Sequence, residues 1–123
     1  MKEKSFGDFL RELRLNHKEY RSLREFARKV GMSAAYLSRI ENGKESSPSE
    51  GVIEKIAEGL GADKYELLSY AGKVPIEFLE TFSRNPRSVA SFMRKAKEVG
   101  LEADNEWEEL EKSLSRVKGK AHR

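Results

Sequence analysis

The side chains in this sequence that could do chemistry are chiefly charged, 24 Lys/Arg and 21 Asp/Glu, and the cations are unevenly spread. Residues 11–44 hold nine Lys/Arg against four Asp/Glu, a local balance of +5, while the whole 123-residue chain carries only +3. Guanidinium and ammonium groups at that density suit an anionic partner, phosphate above all. Residues 84–97 hold five basic and no acidic residues, and residues 102–111 hold six acidic and no basic ones. Those two runs read first as solvated helix faces. Catalytic chemistry is poorly provided for. There is no cysteine, which excludes disulfides, thiolate metal sites and a cysteine nucleophile. His17 and His122 are isolated and lack ligand spacing, so neither a metal nor a cofactor is expected. No phosphate-cradling loop, nucleophile elbow or zincin motif occurs. Glu106, Glu108, Glu109 and Glu111 are clustered in sequence, but on a helix they spread over the solvent face around Trp107. A non-enzymatic chain is expected.

The elements that must position the cations centre on residues 22–43, SLREFARKVGMSAAYLSRIENG. Ser22 with Glu25 three residues later has the form of a capping box. Phe26, Ala27 and Val30 then place an apolar stripe on one side of a short helix. Gly31 supplies the left-handed backbone that ends a helix at low cost. Met32 can anchor the turn. Ser33 is a fresh N-cap, Leu37 and Ile40 give the second helix its inward face, and Gly43 stops it. Two short helices meeting at a glycine-containing turn form a helix-turn-helix unit, whose second helix can enter a major groove.

Phe26-Ala27, Gly31-Met32-Ser33, Leu37-Ser38-Arg39-Ile40-Glu41 and Asn42-Gly43 together resemble the Cro/phage-repressor type of DNA-binding domain, the XRE family. The resemblance covers roughly residues 5–72. It implies groove-facing, base-contacting positions at Ser33, Ala34, Ala35, Tyr36, Ser38 and Arg39. Arg39 is the candidate for a bidentate contact to guanine, worth about 1–3 kcal/mol of discrimination; the competing reading is a phosphate contact that reads no sequence. Ala34 and Ala35 can sit against thymine methyls or simply allow close approach. Tyr36 reaches a phosphate or base edge, or else packs against the following helix. Asn42 and Lys44 match family positions that hold the backbone. Many relatives place a glutamine near the start of the first helix of the unit; Leu23 stands there in this chain, and Arg24 is the candidate substitute for its phosphate contact. The family also pairs an arginine late in the first helix of the domain with the glutamate ending the recognition helix, which implies a structural salt bridge between Arg14 and Glu41. Lys2 and Lys4 could form a short basic arm.

The remaining elements follow from periodicity. Phe6, Phe9, Leu10 and Leu13 mark a first helix over about residues 5–18, opened by Ser5 with Asp8, and residues 16–21 form a turn. Residues 43–49 have loop composition. Ser49 opens a fourth helix with Ile53, Ile56, Ala57 and Leu60 inward, ended by Gly61. Asp63 caps a fifth, with Tyr65, Leu68 and Ala71 inward. Gly72-Lys73-Val74-Pro75 marks a boundary between a DNA-binding domain, residues 1–72, and a C-terminal helical region, residues 73–123. Pro75 opens a helix carrying Ile76, Leu79 and Phe82. Pro86 opens another carrying Val89, Phe92, Met93 and Ala96, ended by Gly100. A last helix, about residues 104–118, carries Trp107, Leu110, Leu114 and Val117 in heptad steps. That seam is either a dimer or partner contact, or packs on the two preceding helices of the same chain. Residues 119–123 form a basic tail.

The expected fold is therefore all-α: a five-helix repressor-like domain followed by about three C-terminal helices. Charged residues at 37% and apolar residues at 37% make the core thin, so a dimer contact could add stability. No apolar run approaches the roughly 20 residues of a membrane span, and no signal-peptide pattern opens the chain; a soluble cytoplasmic protein is expected. The leading functional expectation is a sequence-specific double-stranded DNA-binding regulator, a repressor acting as a homodimer on a palindromic or tandem operator. A second keeps the fold but makes the chain an antitoxin or immunity-type repressor whose C-terminal helices bind a toxin or peptidase. A third is a non-specific or RNA-binding helical adaptor.

Overall fold

The computed structural model describes residues 4–45, 48–101 and 103–118; Lys2, His122, Ser46, Ser47, Glu102 and the tail at 119–123 lie outside them. The described residues form eight helices: α1 Phe6–Asn16, α2 Leu23–Val30, α3 Ala34–Glu41, α4 Glu50–Leu60, α5 Lys64–Tyr70, α6 Ile76–Arg84, α7 Pro86–Val99 and α8 Asp104–Lys118. The chain is all-α, as its periodicity predicts.

Local signals set the helix ends. Ser5, Ser22, Ser33 and Ser49 are N-caps whose hydroxyls accept the N–H three residues on, from Asp8, Glu25, Tyr36 and Val52 respectively. Each satisfies a donor the helix itself cannot use. Gly31 ends α2 at φ 72° and Gly61 ends α4 at φ 65°, a region that costs other residues steric strain. In both cases the following residue returns its N–H to the helix: Met32 to Ala27 O and Ala62 to Ala57 O, each at 2.9 Å.

The chain divides into two compact units, Met1–Leu79 and Glu80–Arg123. In the first unit α1 packs on α3 and α5, α2 on α3 and α4, and α4 on α5. The core they enclose is Leu10, Phe26, Ala27, Leu37, Ile40, Ile53, Ile56, Ala57, Leu60, Leu67 and Leu68. Phe6, Phe9, Leu13, Val30 and Met32 are half-buried around it. One expected inward residue is displaced. Tyr65 is 47% exposed, and Leu67 fills the core in its place beside the expected Leu68. The adjacent pair points α5 inward about one residue away from the stripe that starts at Tyr65. The Tyr65 ring meets Phe78 at 6.4 Å.

In the second unit no residue of α7 is buried. Val89 and Ala96 are half-buried, whereas Phe92 and Met93 are more than half exposed. Along α8 Leu110 is half-buried, but Trp107 is 52%, Leu114 65% and Val117 75% exposed. The seam read from the heptad steps is thus present on the helix, and most of it is left open. On α6 the expected stripe of Ile76, Leu79 and Phe82 is also exposed.

Candidate nucleic-acid interface

The outer face of α3 begins at its cap. Ser33 has extended backbone (φ −77°, ψ 146°) and accepts the Tyr36 N–H at 3.0 Å. Leu37 and Ile40 are buried against the core, which orients the helix and leaves Ser33, Ala35 and Arg39 exposed on the other side. Ala35 and Arg39 are four residues apart and share a face. Ser38 and Tyr36 flank them, both half-buried. The two alanines divide: Ala35 is exposed, while Ala34 packs against the core. Tyr36 also packs against that core, and its ring lies under the Arg39 guanidinium, 5.8 Å from centroid to Cζ.

Arg39 does not project freely. Its Nε donates to Glu45 Oε2 at 2.8 Å, and both residues are accessible to solvent, with side-chain exposures of 50% and 30%. Backbone geometry brings the two together. Gly43 takes φ +69°, turning the chain back so that Lys44 and Glu45 donate their N–H groups to Arg39 O at 2.8 and 3.3 Å. Glu45 was not among the residues singled out by sequence. The single clue is a lone acid in the serine-rich stretch after α3, and no helical spacing rule relates positions six apart.

The end of α3 is held from α1. Arg14 and Glu41 are 6% and 4% exposed, and their pairing is two-pronged: Arg14 Nε donates to Glu41 Oε2 at 2.7 Å and Nη2 to Oε1 at 3.0 Å. Arg14 Nη1 also donates to the carbonyls of Arg21 at 2.5 Å and Tyr20 at 3.4 Å, so one guanidinium ties α1, the α1–α2 turn and α3 together. Arg11, which sequence reading passed over, adds a 3.4 Å contact to Glu41 Oε1 and donates to Asn42 Oδ1. Asn42 Nδ2 donates in turn to Ser38 Oγ at 3.2 Å. Among the described residues every buried side-chain polar atom has a partner.

The other cations lie at the surface. Arg24, in the first turn of α2, and Lys44, just past α3, are exposed. Leu23 is half-buried against the core, so its side chain is used for packing. Lys4 is bonded to Glu12, and that hydrogen bond raises the lysine pKa; the Glu54 charge does the same for Lys64. No group of acidic and histidine side chains able to hold a metal occurs among the described residues, nor is any described helix long and apolar enough to cross a membrane.

The profile of a family described as a helix-turn-helix domain matches residues 5–68, the segment that contains α1 to α5 up to Leu68. The chain belongs to the Cro/XRE-type helix-turn-helix family of regulators. It is 34% identical over 115 residues to a Bacillus subtilis (strain 168) protein named an uncharacterized HTH-type transcriptional regulator, RghRB, with 87% of this chain and 81% of that one covered. It is 41% identical over 70 residues to the HTH-type transcriptional repressor RghR of the same organism, with 57% of this chain and 50% of RghR covered. The chain therefore matches only half the length of that second relative. No solved structure matches the chain at a significant level. In helix-turn-helix units generally the second helix enters the major groove, and α3 is the second helix of this unit; the likeness to RghRB extends beyond α5 into the C-terminal helices.

Proposed function

We propose that this regulator is a sequence-specific double-stranded DNA-binding repressor that acts as a homodimer on a palindromic operator in the cytoplasm. The observation that carries the reading is the outer face of α3. Ser33, Ala35 and Arg39 stand exposed together on a helix whose opposite face is core and whose end is held by the Arg14–Glu41 pair. In this reading Ser33, Ala35, Tyr36, Ser38 and Arg39 approach the base edges, with Ala34 close to the surface beside them. Arg24, Asn42 and Lys44 hold the backbone, positioning the helix without reading sequence. The name of RghR supports repression rather than activation.

One domain contacts too few bases for useful specificity, and two copies related by a two-fold axis read half-sites about 34 Å apart. The C-terminal helices support such pairing. Phe92, Met93, Trp107, Leu114 and Val117 are large, apolar and mostly exposed, and the basic run 84–97 and acidic run 102–111 offer opposite charges to a second copy. The same exposed faces would serve an antitoxin or immunity-type repressor that holds a toxin or peptidase.

Selection of bound sequences from random duplex DNA tests the reading. A palindromic motif bound at least ~10³-fold more tightly than random duplex, with affinity falling steeply as salt rises, is expected. Equal, weak binding to every duplex rejects it. Sedimentation of the free protein separates the two uses of the C-terminal helices: a dimer supports the first, and a monomer that remains monomeric on the selected site supports the second.

A further inference from the structure

We infer that Glu45 is a positioning and specificity-determining residue for Arg39: it directs the guanidinium toward a base edge and away from phosphate. The inference rests on the reading of Arg39 as a base-contacting residue. Three contacts define the arrangement. Glu45 Oε2 accepts from Arg39 Nε at 2.8 Å, the Tyr36 ring lies beneath the guanidinium at 5.8 Å, and the backbone at 44–45 is bonded to Arg39 O itself. The carboxylate is thus delivered to Arg39 by the turn at Gly43 and not by a chance meeting of two long side chains.

The chemistry follows from which nitrogen is used. Arginine presents its N–H donors as a rigid planar fork. With Nε bonded to Glu45, the Nη groups at the tip remain to meet a pair of acceptors, and guanine O6 and N7 in the major groove are such a pair. Clamping between a carboxylate and a ring face also removes rotamer freedom before DNA arrives, which lowers the ordering cost on binding. The carboxylate discriminates as well. A phosphate brought to Arg39 would carry a full negative charge close to Glu45, whereas guanine presents neutral acceptors, so the like-charge repulsion falls on the phosphate contact alone. Glu45 makes the non-sequence-reading use of Arg39 less favourable.

The test uses the full chain, a duplex recovered by selection from a random pool, its single-base variants, and a random-sequence duplex of the same length. Arg39→Ala should lose the preference for one guanine position by about 5- to 150-fold. Glu45→Gln should reduce that same preference by about 3- to 10-fold, because the charged clamp is gone, while binding random duplex more tightly and with a salt slope steeper by about one. The double variant Arg39→Ala/Glu45→Gln should match Arg39→Ala, since Glu45 acts through Arg39. Melting temperatures of all three should stay near that of the parent, a merely structural role for Glu45 being excluded by that control. If Arg39→Ala removes the guanine preference but Glu45→Gln leaves it intact, the inference is overturned and the base-contact reading stands. If Glu45→Gln tightens specific and random binding equally, Glu45 only repels DNA and positions nothing. If Arg39→Ala changes no base preference, the base-contact reading itself fails.

Discussion

Replacing Glu41 by alanine should cost this protein much of its fold before it costs any DNA contact. The Arg14 and Glu41 side chains are 7% and 3% exposed, and the carboxylate accepts two Arg14 bonds at 2.7 and 3.0 Å. In Glu41→Ala the guanidinium keeps the carbonyls of Arg21 and Tyr20 but loses its counter-charge while remaining buried. Breaking a buried pair from one side costs on the order of 3–5 kcal/mol, against about 0–1 kcal/mol for an exposed pair. A small domain has only about 5–15 kcal/mol in hand. At roughly 4–8 °C per kcal/mol for 60–100 residues, the melting temperature should fall by on the order of 12–40 °C. Urea unfolding followed by far-UV circular dichroism measures the loss directly. The companion variant Arg14→Met/Glu41→Leu removes both charges and should recover most of the stability, because desolvating an ion pair is itself expensive. A loss below about 1 kcal/mol in Glu41→Ala would refute the reasoning. So would a double variant as unstable as the single one, which would mean that the shape of the pair matters and its charge does not.

Gly7→Ala should be destabilising even though alanine is the better helix former by about 1 kcal/mol. A Cβ on Gly7 would stand 2.6 Å from the backbone oxygens of both Ile40 and Glu41, so α1 must retreat from α3, with a net cost of about 1–3 kcal/mol in urea titration; a gain in stability would show that the helices can separate freely. Ser33→Ala removes the hydroxyl that accepts the Tyr36 N–H at 3.0 Å and should lower stability by about 0.5–2 kcal/mol, with Ser33→Gly milder; equal loss in both would put the effect elsewhere than in the cap. Trp107→Ala/Leu114→Ala alters side chains that are 52% and 65% exposed. If the proposed homodimer forms through α8, sedimentation should show it dissociating, and DNA affinity should drop with it. An unchanged dimer would move the interface off α8.

The caps and turns of the helix-turn-helix unit were legible because they are short-range. A serine hydroxyl meets the N–H three residues on, and a glycine adopts positive φ, whatever the rest of the chain does. The inward residues of α1 to α4 were legible for a related reason, since one apolar stripe at helical spacing admits one buried face. The stripe misled at α5, where Leu67 and Leu68 are adjacent and a small rotation exchanges Tyr65 for Leu67. The Arg14–Glu41 pair came into view only through family resemblance: nothing local relates residues on two separate helices.

By itself, then, the sequence determined the helices, their ends and the identity of the unit that begins at Ser22, all of which depend on neighbours within about a turn. The tertiary structure decided what that unit can do with its side chains. It separated Ala35 from Ala34, engaged Asn42 with Arg11 and Ser38, and set Glu45 on Arg39. It also brought α1 so near α3 that residue 7 has no room for a Cβ. Each of these depends on where a loop returns or how closely two helices approach, and such distances are set by the packing of the whole core, to which no single stretch of sequence has access.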